Sequence, residues 1–307
     1  MAKTRALRRR IRSVESTRKI TRAMEMVSTS KLKRAQDRVT AARPYARAIE
    51  QVMGDLLSPE LAERFPLLRP PVPPGKGGPR RAVVLLITSN RGLAGAFNAN
   101  LIRAAREREA ELREAGYEVD IHAVGRKGVN FFRFVGRAVA LARIDIGDRP
   151  TARHAEELIG PLVAEYEAGS LASLDVVFAH FKSVLSTPPR VLRVLPVGGM
   201  EEGPGGTAAA AAQGAAPPRR APAYIIRPDA ESLLGALLPQ YLRNQVFRAL
   251  VETAASEHGA RRTAMKNATD AAGDMLEILT RTYNRARQGQ ITQELSEIVG
   301  GAEALEG

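Results

Sequence analysis

Cysteine is absent from the 307 residues. Disulfides, thiolate metal sites and a cysteine nucleophile are therefore excluded, and the composition is compatible with a reducing compartment. Tryptophan is also absent. No apolar run approaches the ~20 residues that a membrane helix needs; the longest, Ala82 to Ile87, is strand-sized. The basic N-terminus has no apolar stretch behind it, which is not the pattern of a signal peptide. Any membrane role is expected to run through partners. The only histidines are His122, His154, His180 and His258, scattered without H-E-x-x-H spacing, and no G-x-S-x-G elbow is present. Glu294 and Glu297 stand three apart, but no pocket residues surround them, so they read as a solvated helix face. No catalytic residue, cofactor site or metal site is expected.

What the chain has in excess is positive charge, and it is unevenly spread. The net charge is +13; residues 1–50 carry 15 Lys/Arg against 4 Asp/Glu, whereas residues 241–307 carry 8 against 9. A basic arm points to an acidic partner: nucleic acid, an anionic lipid surface or an acidic protein.

Both ends read as long helices. In the first, apolar or small residues recur at alternating spacings of four and three: Leu7, Ile11, Val14, then Leu32, Ala35, Val39, Ala42, Ala46, Ile49, Met53, Leu56. That is a coiled-coil seam. Between its two parts the same register lands on Arg18, Thr21, Glu25 and Ser28, while the apolar stripe shifts to Ile20, Met24 and Val27. Pro44 should kink or break this helix. The C-terminal helix is expected after Pro228 with Asp229 as its cap and a kink at Pro239. Its seam reads Phe247, Val251, Ala254, His258, Arg261, Met265, Ala268, Ala272, Met275, Leu279, Thr282, Ala286. Gly259 and Gly273 weaken it by roughly 1 kcal/mol each relative to Ala. Helices this long, about 80 Å each, outreach a compact globule of this size, whose radius of gyration is about 19 Å. Pairing the two ends as an antiparallel coiled coil is the most economical arrangement.

The middle reads as alternating strands and helices. Strands are expected at 81–88, 118–124, 138–144, 175–182 and 190–197, the last two able to pair as a hairpin, with helices at 98–115, 127–135 and 151–168. This pattern argues a mostly parallel, Rossmann-like sheet. The fold class is therefore α/β: a long antiparallel coiled coil of the terminal helices plus a Rossmann-like central domain. The divisions are 1–57 for the first helix, 58–80 for a linker rich in Pro and Gly, 81–197 for the sheet, 198–228 for a low-complexity loop and return segment, and 229–307 for the last helix.

Two function classes compete on chemistry alone. The turn Ser89 to Asn98 carries Gly92 and Gly95 between a strand and a helix, the place where phosphate can be cradled. It matches neither G-x-G-x-x-G nor a P-loop, so a tight turn packing helix on sheet is the plainer reading. The basic arm could bind nucleic acid, but it has no aromatic before Tyr45 on which bases could stack. Its charges also flank a seam, where they commonly serve as stems and helix-partner contacts. A basic coiled-coil nucleic-acid-binding protein is thus the alternative to a protein-binding rod.

Longer strings discriminate between these. Residues 17–31 (TRKITRAMEMVSTSK), the 89–98 turn, residues 254–270 (AASEHGARRTAMKNATD) and residues 283–302 (YNRARQGQITQELSEIVGGA) closely resemble the gamma subunit of bacterial F-type ATP synthases. In the last string Ile291, Thr292, Glu294, Glu297, Gly301 and Ala302 fall at the spacings of the family's C-terminal signature. The resemblance implies a central-stalk rotor without catalytic residues of its own. Its coiled coil would enter a ring of alpha and beta subunits, and its sheet domain would lie near the epsilon subunit and the membrane c-ring. Proton flow would turn it and so drive ATP synthesis at the beta subunits. It further implies a peripheral place on the cytoplasmic face of the cell membrane and no nucleic-acid partner. By motif match, Arg261, Arg287, Gln288 and Thr292 would contact the beta subunits, with Glu257 and Glu294 in support and Met24 near the same acidic segment. Lys31, Lys33 and Arg34 would face the lower rim of the ring, and the tip Ile291 to Leu305 would form a bearing. Asn90, Ala94 and Ala96 depart from the family's usual turn. Thiol regulation of the kind found in chloroplast relatives cannot operate without cysteine.

Overall fold

A computed structural model of the chain describes residues 2–56, 63–69, 80–184, 186–197 and 229–306. The expected Pro70 to Pro79 linker and the Gly198 to Pro222 loop lie outside the described residues. The chain divides into two compact units, Met1–Ser30 with Arg261–Gly307 (the coil unit) and Lys31–Ala260 (the sheet unit). Two long helices contribute to both: α1, Ala2–Leu56, and α5, Ala230–Glu306. Neither Pro44 nor Pro239 interrupts them. The break expected at Pro44 is absent.

In the sheet unit, β1 (Arg81–Ile87), β2 (Glu118–Val124), β3 (Leu141–Arg143), β4 (Ser173–Ala179) and β5 (Pro189–Leu195) form one sheet in the order β3-β2-β1-β4-β5. The first four run parallel and β5 is antiparallel to β4, so the hairpin is present. Between them lie α2 (Phe97–Glu114), α3 (Arg126–Phe134) and α4 (Ala152–Glu167). β1 is buried from Ala82 to Ile87, as befits a central parallel strand covered on both faces. Val83, Leu85 and Ile87 pack with α4 and the first turns of α5, whereas Ala82, Val84 and Leu86 pack with α2 and α3. The period-two alternation of a strand thus feeds two apolar layers.

Local chemistry sets the element ends. Thr151 caps α4, accepting from His154 N, and Asp229 Oδ1 accepts from Ser232 N at 2.7 Å to start α5. Gly116 and Gly169 follow α2 and α4 at φ 88° and 74°, the left-handed stop that glycine takes without strain. β3 is shorter than the 138–144 expected. The Ile144 carbonyl leaves the ladder to accept from the Asn90 side chain at 3.0 Å, as does that of Ile146 at 3.1 Å.

Within the sheet unit the two long helices already run antiparallel. Leu32, Ala35 and Val39 cluster with Val251 and Ala255, whereas Ile49 and Met53 further along α1 join Leu234, Leu238 and Leu242 of α5. A Cβ on Gly259 would stand 3.9 Å from Leu32 Cδ1 and 3.3 Å from the Val184 carbonyl oxygen. The glycine is thus a close-packing position.

In the coil unit the same antiparallel sense holds. Thr4 Oγ1 donates to Gln290 Oε1 at 3.2 Å, and Thr269 Oγ1 donates to Thr21 Oγ1 at 2.7 Å. The α1 seam keeps its heptad register through the polar stretch. Thr21 and Ser28 are buried on it, while Ile20 and Val27 are 57% and 58% exposed. On α5 the expected seam needs correction at Met275 and Thr282, which are exposed; the inward positions are Leu276 and Tyr283. Successive steps of four, Ala268 to Ala272 to Leu276, insert one 11-residue spacing (Met265 to Leu276) into the heptads. Such a stutter locally unwinds a coiled coil.

Candidate functional site

The C-terminal part of α5 presents the most distinctive surface in the coil unit. Gln290 bonds across to α1 through its side chain at Thr4, close to the start of that helix. From residue 291 to 299 every position is exposed. Ile291, Leu295, Ile298 and Val299 are exposed by 47–69%. At 100° per residue they share one broad face with Arg287, Gln288, Thr292 and Glu294. Polar contacts within the helix tie down several of these side chains. Thr292 Oγ1 donates to the Gln288 carbonyl at 3.1 Å, and Gln290 Nε2 donates to Glu294 Oε1 at 2.9 Å. Arg287 and Gln288 are exposed. The α5 helix runs on through Gly300 and Gly301 to Glu306.

The structure brings four of the ten sequence-selected residues together here. Arg261, also in the coil unit, is buried, and it is engaged by other groups of the chain. Met24 is half-buried on α1, between exposed Ile20 and Val27 on the shifted apolar stripe. Met26 is exposed as well, at 63%.

The remaining four fall in the sheet unit. Lys33 and Arg34 are exposed on α1, Lys33 pairing with Asp37 one turn on at 3.0 Å. Lys31 does not present a free cation: its Nζ lies 2.5 Å from Asp148 Oδ2. Arg38 Nη1 donates to the Asp148 carbonyl at 3.3 Å, and His258 Nε2 of α5 stands 3.8 Å from the same carboxylate. Burial would raise the Asp148 pKa, but the Lys31 hydrogen bond and the nearby His258, Lys31 and Arg91 charges outweigh it and hold the carboxyl below its ordinary value. One acidic side chain thus ties the loop after β3 to both long helices. Glu257 is buried beside it and is engaged within the chain.

A second carboxylate, which the sequence pattern did not single out, does the same for the hairpin. Glu252 on α5 is 2% exposed. Its Oε2 lies 2.6 Å from His180 Nδ1 and accepts from Phe181 N at 3.2 Å, while Oε1 accepts from Arg248 Nε at 2.9 Å. Arg248 Nη1 reaches on to Glu50 of α1 at 3.0 Å. A third carboxylate, Asp175, is fully buried in β4 and takes Arg108 at 3.0 Å and Arg193 at 3.1 Å. A lone acidic residue within an apolar run was the available signal for Asp175. Glu252 gave none, because its partners at His180 and Phe181 lie some seventy residues away in the sequence.

The turn at Gly92 is a packing turn. Ser89 N donates to Asn98 Oδ1, Arg126 N to Asn90 Oδ1, Lys127 N to the Ser89 carbonyl and Gly128 N to Thr88 Oγ1. These backbone donors are used internally. Among the described residues no group of three or more His, Asp and Glu side chains is placed to hold a metal ion, and no helix is long and apolar enough to cross a membrane.

Fold and surface together define an α/β protein in which antiparallel terminal helices accompany a Rossmann-like sheet and the C-terminal helix carries an exposed apolar face. The comparisons with known proteins narrow the class to a family. A family model described as ATP synthase matches residues 3–305. The chain is 54% identical to the ATP synthase gamma chain of Gemmatimonas aurantiaca over 307 residues, covering all of both chains. It is 44% identical to that of Moorella thermoacetica, covering 99% of this chain and 100% of the relative. Among solved structures, the rotor of the Euglena gracilis mitochondrial ATP synthase superposes with a TM-score of 0.62 at 17% identity, covering 94% of this chain and 99% of that one. A chain from the central stalk and c-ring of the Tetrahymena thermophila enzyme gives 0.55 at 20% identity, covering 81% and 99%. The chain belongs to the ATP synthase gamma-chain family. The nucleic-acid alternative for the basic arm is not supported.

Proposed function

We propose that this chain is the central rotor shaft of a proton-translocating F-type ATP synthase and carries no catalytic site of its own. The observation that supports this reading best is the exposed face at the end of α5. There Ile291, Leu295, Ile298 and Val299 alternate with Arg287, Gln288, Thr292 and Glu294 around and beyond the Gln290 bond to Thr4. Burying a side chain of that kind against a partner stabilises the contact by about 1.5–3 kcal/mol. A face left bare along nine consecutive positions fits a surrounding partner better than solvent.

In this reading the face turns inside a ring of alpha and beta subunits. Arg287, Gln288 and Thr292 meet the beta subunits, with Glu294 supporting them and Met24 on α1 near the same segment. Arg261 and Glu257 are buried and serve as supports for that contact rather than as exposed donors. Lys33 and Arg34 face the ring's lower rim, whereas Lys31 is committed to Asp148. The sheet, residues 81–197, contacts the epsilon subunit and the c-ring, and the helices of 1–57 and 229–307 form the shaft. The segments 58–80 and 198–228 are the linker and loop. The protein sits peripherally at the cytoplasmic face of the cell membrane, held there by its partners.

The mechanism follows from asymmetry. A shaft that touched every beta subunit alike would shift nothing, because only differential contact changes the populations of two states. The two helices offer unequal faces: a polar seam at Thr21 and Ser28, an outward apolar stripe at Ile20 and Val27, and an apolar tip on α5 alone. Each angular position therefore sets different contacts against each of the three catalytic sites. Driven rotation moves those sites through different nucleotide affinities.

Reconstitution tests the proposal. Purified chain added to alpha and beta subunits should yield a complex with sustained ATP hydrolysis, while the chain alone hydrolyses nothing. Hydrolysis by the isolated chain, or failure to co-purify with alpha and beta, would count against it.

A further inference from the structure

At the carboxyl ends of β1 and β2, within the sheet unit, lies a cleft of about 660 Å³. We propose that it binds a small phosphate-bearing anion of nucleotide size, held by Arg91, Arg126 and Arg149. The location is where ligands bind in open parallel sheets, and the volume is that of a small-molecule site. Structural crevices share both features; the balance of charge sets this one apart.

All three arginines line the cleft and are exposed. Among the described residues, none of their guanidinium groups makes a hydrogen bond or an ion pair. The acidic groups around them are already spent. Asp145 is held by Arg143 at 2.7 Å, with a carboxyl pushed down to about 2 chiefly by that hydrogen bond. Asp148 is held by Lys31, with His258 close by. Glu257 also lines the cleft and is engaged within the chain. The polar wall is similarly satisfied: Thr88 Oγ1 donates to the Val124 carbonyl and accepts from Gly128 N, and Thr253 Oγ1 donates to the Ala249 carbonyl. Arg91 also acts on Asp148 through its charge, but that carboxylate is already bonded to Lys31, so the three guanidinium groups face the cleft without a hydrogen-bonded counter-charge.

Guanidinium groups match phosphate oxygens in pairs of parallel N–H···O bonds, which favours phosphate over a monovalent anion. The other wall is apolar, including Ile87, Val124, Ile146 and Leu250, and suits the flat organic part of such a ligand. The backbone N–H groups at the start of α3 are taken by Asn90, Ser89 and Thr88, so on that wall recognition falls to side chains. It should therefore weaken steeply with salt.

Isothermal titration of the isolated full chain with inorganic pyrophosphate and with ADP, at about 50 mM and 300 mM salt, tests the proposal. Both should bind at low salt and weaken at least tenfold at high salt. Tighter binding of ADP identifies a nucleotide as the source of the phosphate, and equal binding identifies an inorganic phosphate. The triple variant R91Q/R126Q/R149Q should lose at least tenfold in affinity. R133Q, an exposed arginine at the far end of α3, should stay within twofold of the parent. A readout that needs no variant is arginine modification by phenylglyoxal, which saturating pyrophosphate should slow at Arg91, Arg126 and Arg149 but not at Arg133. Absence of binding by both probes at millimolar concentration, an equal loss in R133Q, or unprotected arginines would overturn the proposal.

Discussion

Replacing Glu252 by glutamine keeps the side-chain shape and removes one acceptor and the charge. In the native chain Oε1 faces Arg248 Nε, whereas Oε2 faces His180 Nδ1 and Phe181 N. Whichever oxygen becomes the amide nitrogen, its N–H group then meets another donor. At 2% exposure no bulk water repairs the mismatch. A buried donor left without an acceptor costs about 1–3 kcal/mol, and losing the charge-assisted bond adds to it. The sum is about 3 kcal/mol for Glu252→Gln. For a unit of this size, 1 kcal/mol moves the melting temperature by roughly 2–4 °C, so a fall of about 6–12 °C is expected. Differential scanning calorimetry of the full chain measures it. A double-mutant cycle with His180→Ala should return a coupling above about 1 kcal/mol, since contacting residues in one network are non-additive. A fall below 2 °C, or additive behaviour with His180→Ala, would refute the view that this carboxylate fastens the hairpin to α5.

Three further outcomes follow from the same geometry. His122 has its pKa lowered from 6.5, first by burial and then by Arg81. The unfolded chain takes up that proton more readily, so the fold should lose stability as pH drops below about 6.5; comparing melts at pH 7.5 and 5.5 for parent and His122→Leu should show a smaller drop in the variant. Gly125 sits at φ 93° with the Thr88 carbonyl oxygen 2.2 Å from where a Cβ would be, whereas a Cβ on Gly273 meets nothing within 4 Å. Gly125→Ala should therefore cost more than about 3 kcal/mol, while Gly273→Ala should gain about 1 kcal/mol from helix propensity, both read by denaturant unfolding. Arg287→Glu, on an exposed position, should leave the melting temperature within about 2 °C, because surface changes cost little; proton-driven ATP synthesis in the reconstituted complex should nevertheless fall severalfold, and unchanged synthesis would remove Arg287 from the proposed contact.

Much of this architecture is written in local patterns. The wholly apolar run at β1, the glycines closing α2 and α4 and the Asp229 cap are short-range signals, and the elements follow them within a few residues. The antiparallel pairing was legible because both ends carry seams. Where reading failed, non-local packing was responsible. The Asn90 side chain takes carbonyls from the loop after β3 and shortens that strand. The stutter at Ala272 is invisible to a strict heptad, because exposed Met275 is as apolar as the half-buried Leu276. Pro44 is tolerated because an exposed position on a helix anchored on either side absorbs a missing N–H. The candidate site was only half legible. Arg287, Gln288, Thr292 and Glu294 converge because helical spacing alone groups them. Lys31 and Glu257 were chosen by motif, yet their surroundings are set by the loop after β3, roughly a hundred residues away from either.

Rotation is the direct test of the central claim. The alpha and beta ring, immobilised on glass, would be assembled with this chain carrying a cysteine and an optical probe at exposed Phe134 of α3, a position unique in a protein that has no other thiol. On addition of ATP the probe should turn continuously in one direction, pausing at three equivalent angles. ATP turnover by the same complexes with the probe stationary, or moving without preferred direction, would contradict the account.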